Sequence, residues 1–316
     1  MQDLGSTLVV HLVWAPLGPD PLGRFLESYV RHDAGTAHGL LVILNGFGAG
    51  EDRGPWRELL AGVDHEKLDL DRPLLDLGAY AEAVRRMPAE RYCFLNSYSV
   101  LLADRWLLSM AEALTADDVG LVGATGSWAS VSSFQRFQLG MGGTYASVFP
   151  DRRAALAAMN AVAARHARAP EVVQRRAPVR YARTLLEQAY RFPPFPAPHI
   201  RTNAFMLDGA LWSRLSIPNL LGKVDAHRLE SGRGGLTAQV ERLGLGARVV
   251  GRDGRAYAPD DWAASRTLWQ GDQENLLVAD NQTEDYALGG PAERDFLSRF
   301  AWATAAEPQA HAAEVR

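Results

Sequence analysis

Apolar residues in this chain fall into short runs separated by polar, Gly- or Pro-containing turns, and the runs alternate between two periods. Leu8–Trp14 (LVVHLVW), Leu40–Leu44 (LLVIL), Tyr92–Leu95 (YCFL) and Val119–Ala124 (VGLVGA) are nearly continuous apolar stretches. That is the pattern of strands buried on both faces of a sheet. His65–Leu70 is a weaker strand. Between these runs, Arg24–Arg31, Pro55–Leu60, Leu75–Met87 and Arg105–Leu114 repeat apolar residues at helical spacing. Ala15–Gly23 and Gly35–His38 are Gly- or Pro-containing turns. Strand, helix and strand within Leu8–Leu44 predict a right-handed parallel crossover. The expected fold class is α/β, with a mostly parallel twisted sheet flanked by helices.

The character changes after residue 150. Ala154–His166 and Pro178–Tyr190 read as helices, and Arg191–Pro198 (RFPPFPAP) carries four prolines in eight positions. Such a segment excludes regular structure and predicts a rigid linker. His199–Leu207 then reads as one strand, Leu211–Leu215 as the start of a helix, and Glu230–Gly235 as a polar, Gly-rich loop. Leu236–Leu243 is a helix closed by Gly244, and Arg248–Val250 is a last strand. Asp260–Tyr286 is polar and aromatic without strong periodicity, and Ala303–Arg316 is expected to fray.

Polar groups gather where the strands end. Ala15–Gly18, with Ala15 and Pro16 leading, follow the first strand, Asn45 the second, and Asn96, Ser97, Tyr98 and Ser99 the strand at Tyr92–Leu95; Asp76 precedes a helix, and Arg201, Thr202, Asn203 and Glu230 come later. In open α/β sheets the carboxyl ends of the strands are where ligands sit. Each residue alone suits a turn or a cap, Asp76 in particular an N-cap. Together they outline one rim.

Composition removes several function classes. The net charge of −4 argues against nucleic acid as a partner. The single cysteine, Cys93, lies inside a predicted strand, which excludes a disulfide framework or a cysteine metal site and fits a reducing compartment. The amino terminus lacks a basic leader and no stretch reaches the ~20 apolar residues of a spanning helix, so a cytoplasmic protein without a transmembrane segment is expected. The Rossmann GxGxxG, the P-loop, GxSxG and HExxH are absent, and the eight histidines show no ligand spacing. His11 and His199 sit in apolar strands and read as core histidines.

On these elements the chain resembles the GT-A glycosyltransferases, in particular the family 2-like nucleotide-sugar transferases. The first strand with RFLESYVRH is similar to their opening βα unit, and LLVILNGF lies where they carry a strand ending in Asp; here the residue is Asn45. LDLGAYAEAV resembles the helix after their uridine-contacting loop. FLNSYSVLLADRWL resembles their "FLDxDxxLxxxWL" segment, HIRTNAFMLDGALWSRL the strand after the acceptor loop, and RLESGRGGLTAQVERLGLGARVV the block with the catalytic base. The resemblance covers Leu8–Val250.

It implies transfer of a sugar from a nucleotide-diphosphate donor to a hydroxyl of a sugar, lipid-linked or small-molecule acceptor. By position it assigns Asn45 and Asp76 to the base and ribose, and Asn96 and Tyr98 to the diphosphate or donor sugar. Glu230 becomes the base, with Asp225 as substitute. It also divides the chain into a nucleotide-sugar half at 1–150, a helical insertion and linker at 151–198, an acceptor-side half at 199–302 and a tail at 303–316. The departure is at the DxD, which reads Asn96-Ser97-Tyr98. Divalent Mg²⁺ or Mn²⁺ prefers hard carboxylate oxygens. Either another carboxylate such as Asp272 or Asp280 holds the metal, or Arg201, Arg228 or Arg233 neutralises the diphosphate. Trp128, Trp262 and Trp269 are candidate sugar-stacking rings, each singly better read as core. A non-catalytic module of the same fold that binds a nucleotide sugar or glycan is the competing class.

Overall fold

The structure, a computed structural model, describes residues 6–165, 187–218 and 222–306. The helix expected over Pro178–Tyr190 lies largely outside the described residues, as does most of the tail Ala303–Arg316. The strands are β1 (Thr7–Trp14), β2 (Gly39–Asn45), β3 (Glu66–Asp69), β4 (Arg91–Leu95), β5 (Val100–Leu101), β6 (Val119–Gly123), β7 (Gly126–Ser127), β8 (His199–Ile200), β9 (Ala204–Asp208), β10 (Gly246–Val250), β11 (Ala256–Tyr257) and β12 (Val278–Ala279). Eight of them form one sheet in the order β11-β10-β6-β9-β4-β1-β2-β3. β3, β2, β1 and β4 are parallel neighbours, as are β6 and β10. β9 is antiparallel to both β4 and β6, and β11 is antiparallel at the edge. The fold is the expected α/β one: a mostly parallel sheet with helices on its faces.

Side chains alternate across the sheet and build two cores. Leu8, Val10 and Leu12 of β1 and Tyr92 and Phe94 of β4 pack on one side with Leu77, Tyr80 and Ala83 of the helix Asp76–Arg86. Val9, Val13, Cys93 and Leu95 face the other side, against Phe25 of the helix Asp20–Arg31 and Trp106 of the helix Trp106–Leu114. Burial on both faces is why these strands read as continuous apolar runs. His11 is a core residue whose ring stacks on Phe25 at 3.7 Å. Burial pushes its pKa down to about 3, so the ring is neutral.

Three expectations change. His199–Leu207 is two strands rather than one, because the turn Arg201–Asn203 separates β8 from β9. Glu230 lies in a helix, Lys223–Ser231, where a loop is expected from its polarity. The loop is confined to Gly232–Gly235, and a Cβ at Gly232 would come within 2.4 Å of the Arg228 carbonyl oxygen, so glycine permits the close turn. The stretch after Asp260 is ordered: a 3-10 turn at Pro259–Ala264 is followed by helices Asn281–Leu288 and Pro291–Trp302. Among the described residues no helix is long and apolar enough to cross a membrane.

Candidate functional site

The antiparallel strand β9 creates the site. Because it runs against β4, it begins where β4 ends, and this brings Arg201–Asn203 beside the Asn96–Tyr98 turn. The Asn96 backbone N–H donates to the Asn203 carbonyl oxygen at 2.9 Å and ties the two segments together. The end of β1, the start of the helix Asp76–Arg86, the helix Lys223–Ser231 and the cap of Asn281–Leu288 complete a cleft of about 510 Å³. Asp76, Asn96, Tyr98, Arg201, Asn203 and Glu230 all line it.

The Asn96 side chain shapes its own turn. Its Oδ1 accepts from the Tyr98 backbone N–H at 3.0 Å and from the Ser99 hydroxyl at 3.1 Å, an Asx turn. Ser99 is fully buried and supports that turn rather than lining the cleft. Arg201 is buried; one guanidinium nitrogen donates to Asp280 at 2.8 Å and another to the Thr125 hydroxyl at 3.2 Å. Asp280 is buried as well and caps the next helix by accepting from the Thr283 backbone N–H at 2.9 Å. Asn203 accepts from the Thr125 hydroxyl at 2.7 Å through Oδ1, while its Nδ2 is buried with no partner among the described residues. An orphaned buried donor is costly unless something pairs with it.

Glu230 is fixed by Thr202, whose backbone N–H and hydroxyl both donate to Oε1, at 2.7 and 3.1 Å. Asp76 is solvent-exposed on its cleft side, and neighbouring protein removes only part of its water. This loss of water, followed by the Glu230 charge, pushes its pKa up to about 6, although its own backbone N–H pulls the other way. Two carboxylates therefore repel one another in the cleft, while Asp280 offsets the Arg201 charge.

Besides Ser99, four expected residues do not line the cleft. Asn45 is buried and clamps the backbone of Leu74: Nδ2 donates to the Leu74 carbonyl at 2.7 Å, and the Leu74 N–H donates to Oδ1 at 3.0 Å. Ala15 is buried, and both it and Pro16 belong to the 3-10 turn whose Leu17, with Trp14 before it, reaches the cleft instead. Asp225 pairs with Arg228 at 3.2 Å. It lies five residues before Glu230 on one helix, roughly 140° away around the axis. Ala226 and His227 face the cleft with Glu230 in its place. Trp262 and Trp269 are buried, and Trp128 packs edge-on against Trp302 and donates to the Pro259 carbonyl, so none of the three lines the cleft. His227 escapes sequence reading because nothing in its local pattern marks it, whereas Thr202 belongs to the polar Arg201–Asn203 set read from the sequence. Asp280 does carry a signal, since DxxT at a helix start is a capping pattern.

The metal candidates read from the sequence are engaged elsewhere, which leaves Asp76 and Glu230 as the carboxylates that face one another in the cleft. Asn96 Oδ1 is engaged in its turn, Asp280 is engaged by Arg201 and Thr283, and Asp272, outside the cleft, accepts from Arg294 at 3.2 Å. Among the described residues no three His, Cys, Asp or Glu side chains are grouped to hold a metal.

No protein-family model matches the chain, and no curated protein matches it by sequence. Solved structures of GT-A-type glycosyltransferases resemble its fold. The mannosyltransferase PcManGT from Pyrobaculum calidifontis, in complex with GDP-Man and Mn2+, is 13% identical, with a TM-score of 0.41 over 94% of this chain and 70% of that one. GalNAc-T7 with UDP, GalNAc and Mn2+ is 12% identical at a TM-score of 0.33, over 39% of this chain. TarS 1-349 of S. aureus is 12% identical at 0.29, over 37%. The matches span 23% of the GalNAc-T7 chain and 34% of the TarS chain. Likeness at this level carries no weight for function, which rests on the cleft itself.

Proposed function

We propose that the chain is a glycosyltransferase that moves a sugar from a nucleotide-diphosphate donor to an acceptor hydroxyl. The observation that carries this reading is the convergence, at the carboxyl edge of one sheet, of Asp76, Asn96, Tyr98, Arg201, Asn203 and Glu230. Segments far apart in sequence bring two carboxylates, a guanidinium and two carboxamides to one cleft. In this reading the acceptor oxygen attacks the anomeric carbon, the bond from that carbon to the diphosphate oxygen breaks, and the diphosphate leaves with the electron pair. The Arg201 guanidinium meets the charge that develops there. Asp76 accepts from ribose or base donors. Glu230 takes the acceptor's proton through Oε2, since both Thr202 bonds are to Oε1. In this reading Arg201, the one guanidinium lining the cleft among the described residues, holds the diphosphate by hydrogen bonds without a divalent cation, its charge being already offset by Asp280.

Glu230→Gln tests it. Glutamine keeps an Oε1 to accept from Thr202 and loses only the basicity. Turnover of a donor found by screening UDP, GDP and their sugars should fall by ~10²–10⁴-fold, with nucleotide affinity nearly unchanged. An equal loss of affinity and turnover makes Glu230 a donor-binding residue. The missing carboxylates at Asn96-Ser97-Tyr98 favour one second reading, a non-catalytic nucleotide-sugar-binding module; nucleotide binding with neither transfer nor donor hydrolysis would establish it.

A further inference from the structure

A second cavity, of about 270 Å³, lies against the helix Lys223–Ser231, and among the described residues Glu230 alone lines both it and the cleft. We propose that this cavity is the acceptor pocket and that it takes a single neutral sugar ring, a proposal that rests on the transferase reading above. Size sets the first limit: the space of about 270 Å³ holds one ring, and any further ring would lie outside it, toward solvent.

The wall chemistry sets the second. Pro193, Pro196 and Pro198 give a rigid apolar surface suited to the C–H face of a sugar. The hydrogen-bonding side includes Glu230, Thr237 and His199. The Nδ1 of His199 meets the Ala197 carbonyl at 2.8 Å. A carbonyl can only accept, so Nδ1 carries the proton and Nε2 keeps its lone pair. Burial lowers the His199 pKa, with the Glu230 charge partly opposing, and the ring is neutral at neutral pH. A neutral imidazole, a carboxylate and a threonine suit hydroxyl groups. Charge sets the third limit. Glu230 and Glu241 outnumber Arg233 on the lining, so a phosphorylated or carboxylated acceptor meets repulsion. The shared Glu230 would then present its free oxygen to a hydroxyl arriving from this side.

The test uses the full chain and saturation-transfer NMR with a panel of neutral monosaccharides and their 6-phosphates. At least one neutral sugar should bind, its phosphate more weakly. Ala238→Phe, which fills the cavity from the helix Leu236–Arg242, should weaken that sugar by at least ~10-fold while leaving nucleotide diphosphate affinity unchanged. If Ala238→Phe misfolds by circular dichroism, Ser231→Phe fills the cavity from another wall. The proposal falls if no neutral sugar binds, if the phosphate binds better than its parent, or if the filled variant binds the sugar as well as the wild type. Failure of the wild type to bind any nucleotide overturns the transferase reading instead, and the sugar measurements still decide the pocket.

Discussion

Asp76 stands at the first position of its helix, where a carboxylate faces the unpaired N–H groups of the first turn. That environment favours the anion, yet loss of water and the Glu230 charge outweigh it and raise the pKa to about 6 from 3.8. The folded state thus holds the Asp76 proton more tightly than the unfolded chain does. Its contribution to stability is complete below pH 3.8 and is lost as pH rises through about 6. Urea midpoints across that window should fall more steeply for the wild type than for Asp76→Asn, whose side chain does not ionise. Equal slopes would overturn the assignment. Glu230→Gln should also move the Asp76 titration, followed by NMR, down from about 6 without restoring 3.8, because burial is the larger cause.

At the level of elements, Asn45 replaces the Asp that the resembling family carries at the end of its second strand, and its bonds supply a reason. Its amide donates to the Leu74 carbonyl and accepts from the Leu74 N–H; a carboxylate can do only the second. Leu74 and Leu75 line the cleft directly before Asp76, so this clamp sets where the helix begins. Asn45→Asp should lower stability by about 1–3 kcal/mol, measured by denaturant unfolding, since an oxygen would face the carbonyl. Nucleotide affinity should fall with it. Unchanged stability would mean the loop needs no clamp.

At the scale of the whole molecule, β1 to β4 and β6 come from one half of the chain and β9 to β11 from the other, and one sheet unites them. A ligand across the cleft bridges both halves and stabilises the fold by mass action. A nucleotide diphosphate at 100 times its Kd should add about 2.7 kcal/mol, a rise in Tm of several degrees by calorimetry. With Arg201 holding the diphosphate by hydrogen bonds in place of a cation, the rise should survive EDTA. A rise that appears only with Mn²⁺ or Mg²⁺ would overturn the metal-independent part of the reading.

Periodicity alone determines the strands that make up the parallel half of the sheet, because burial on both faces leaves an unmistakable apolar run at β1, β2, β4 and β6. It also locates the rim, since polar turns must follow such runs. Periodicity leaves the direction of β9 open, because a buried strand has the same composition either way; only the packing between β4 and β6 makes it antiparallel and carries Arg201 and Asn203 to the rim. Tertiary structure likewise turns Glu230 toward the cleft while Asp225, on the same helix, points elsewhere, and it commits Asn45 to Leu74. Sequence supplies the residue types at these positions. Which of them share a cleft depends on contacts between segments far apart in the chain, and no local pattern records those.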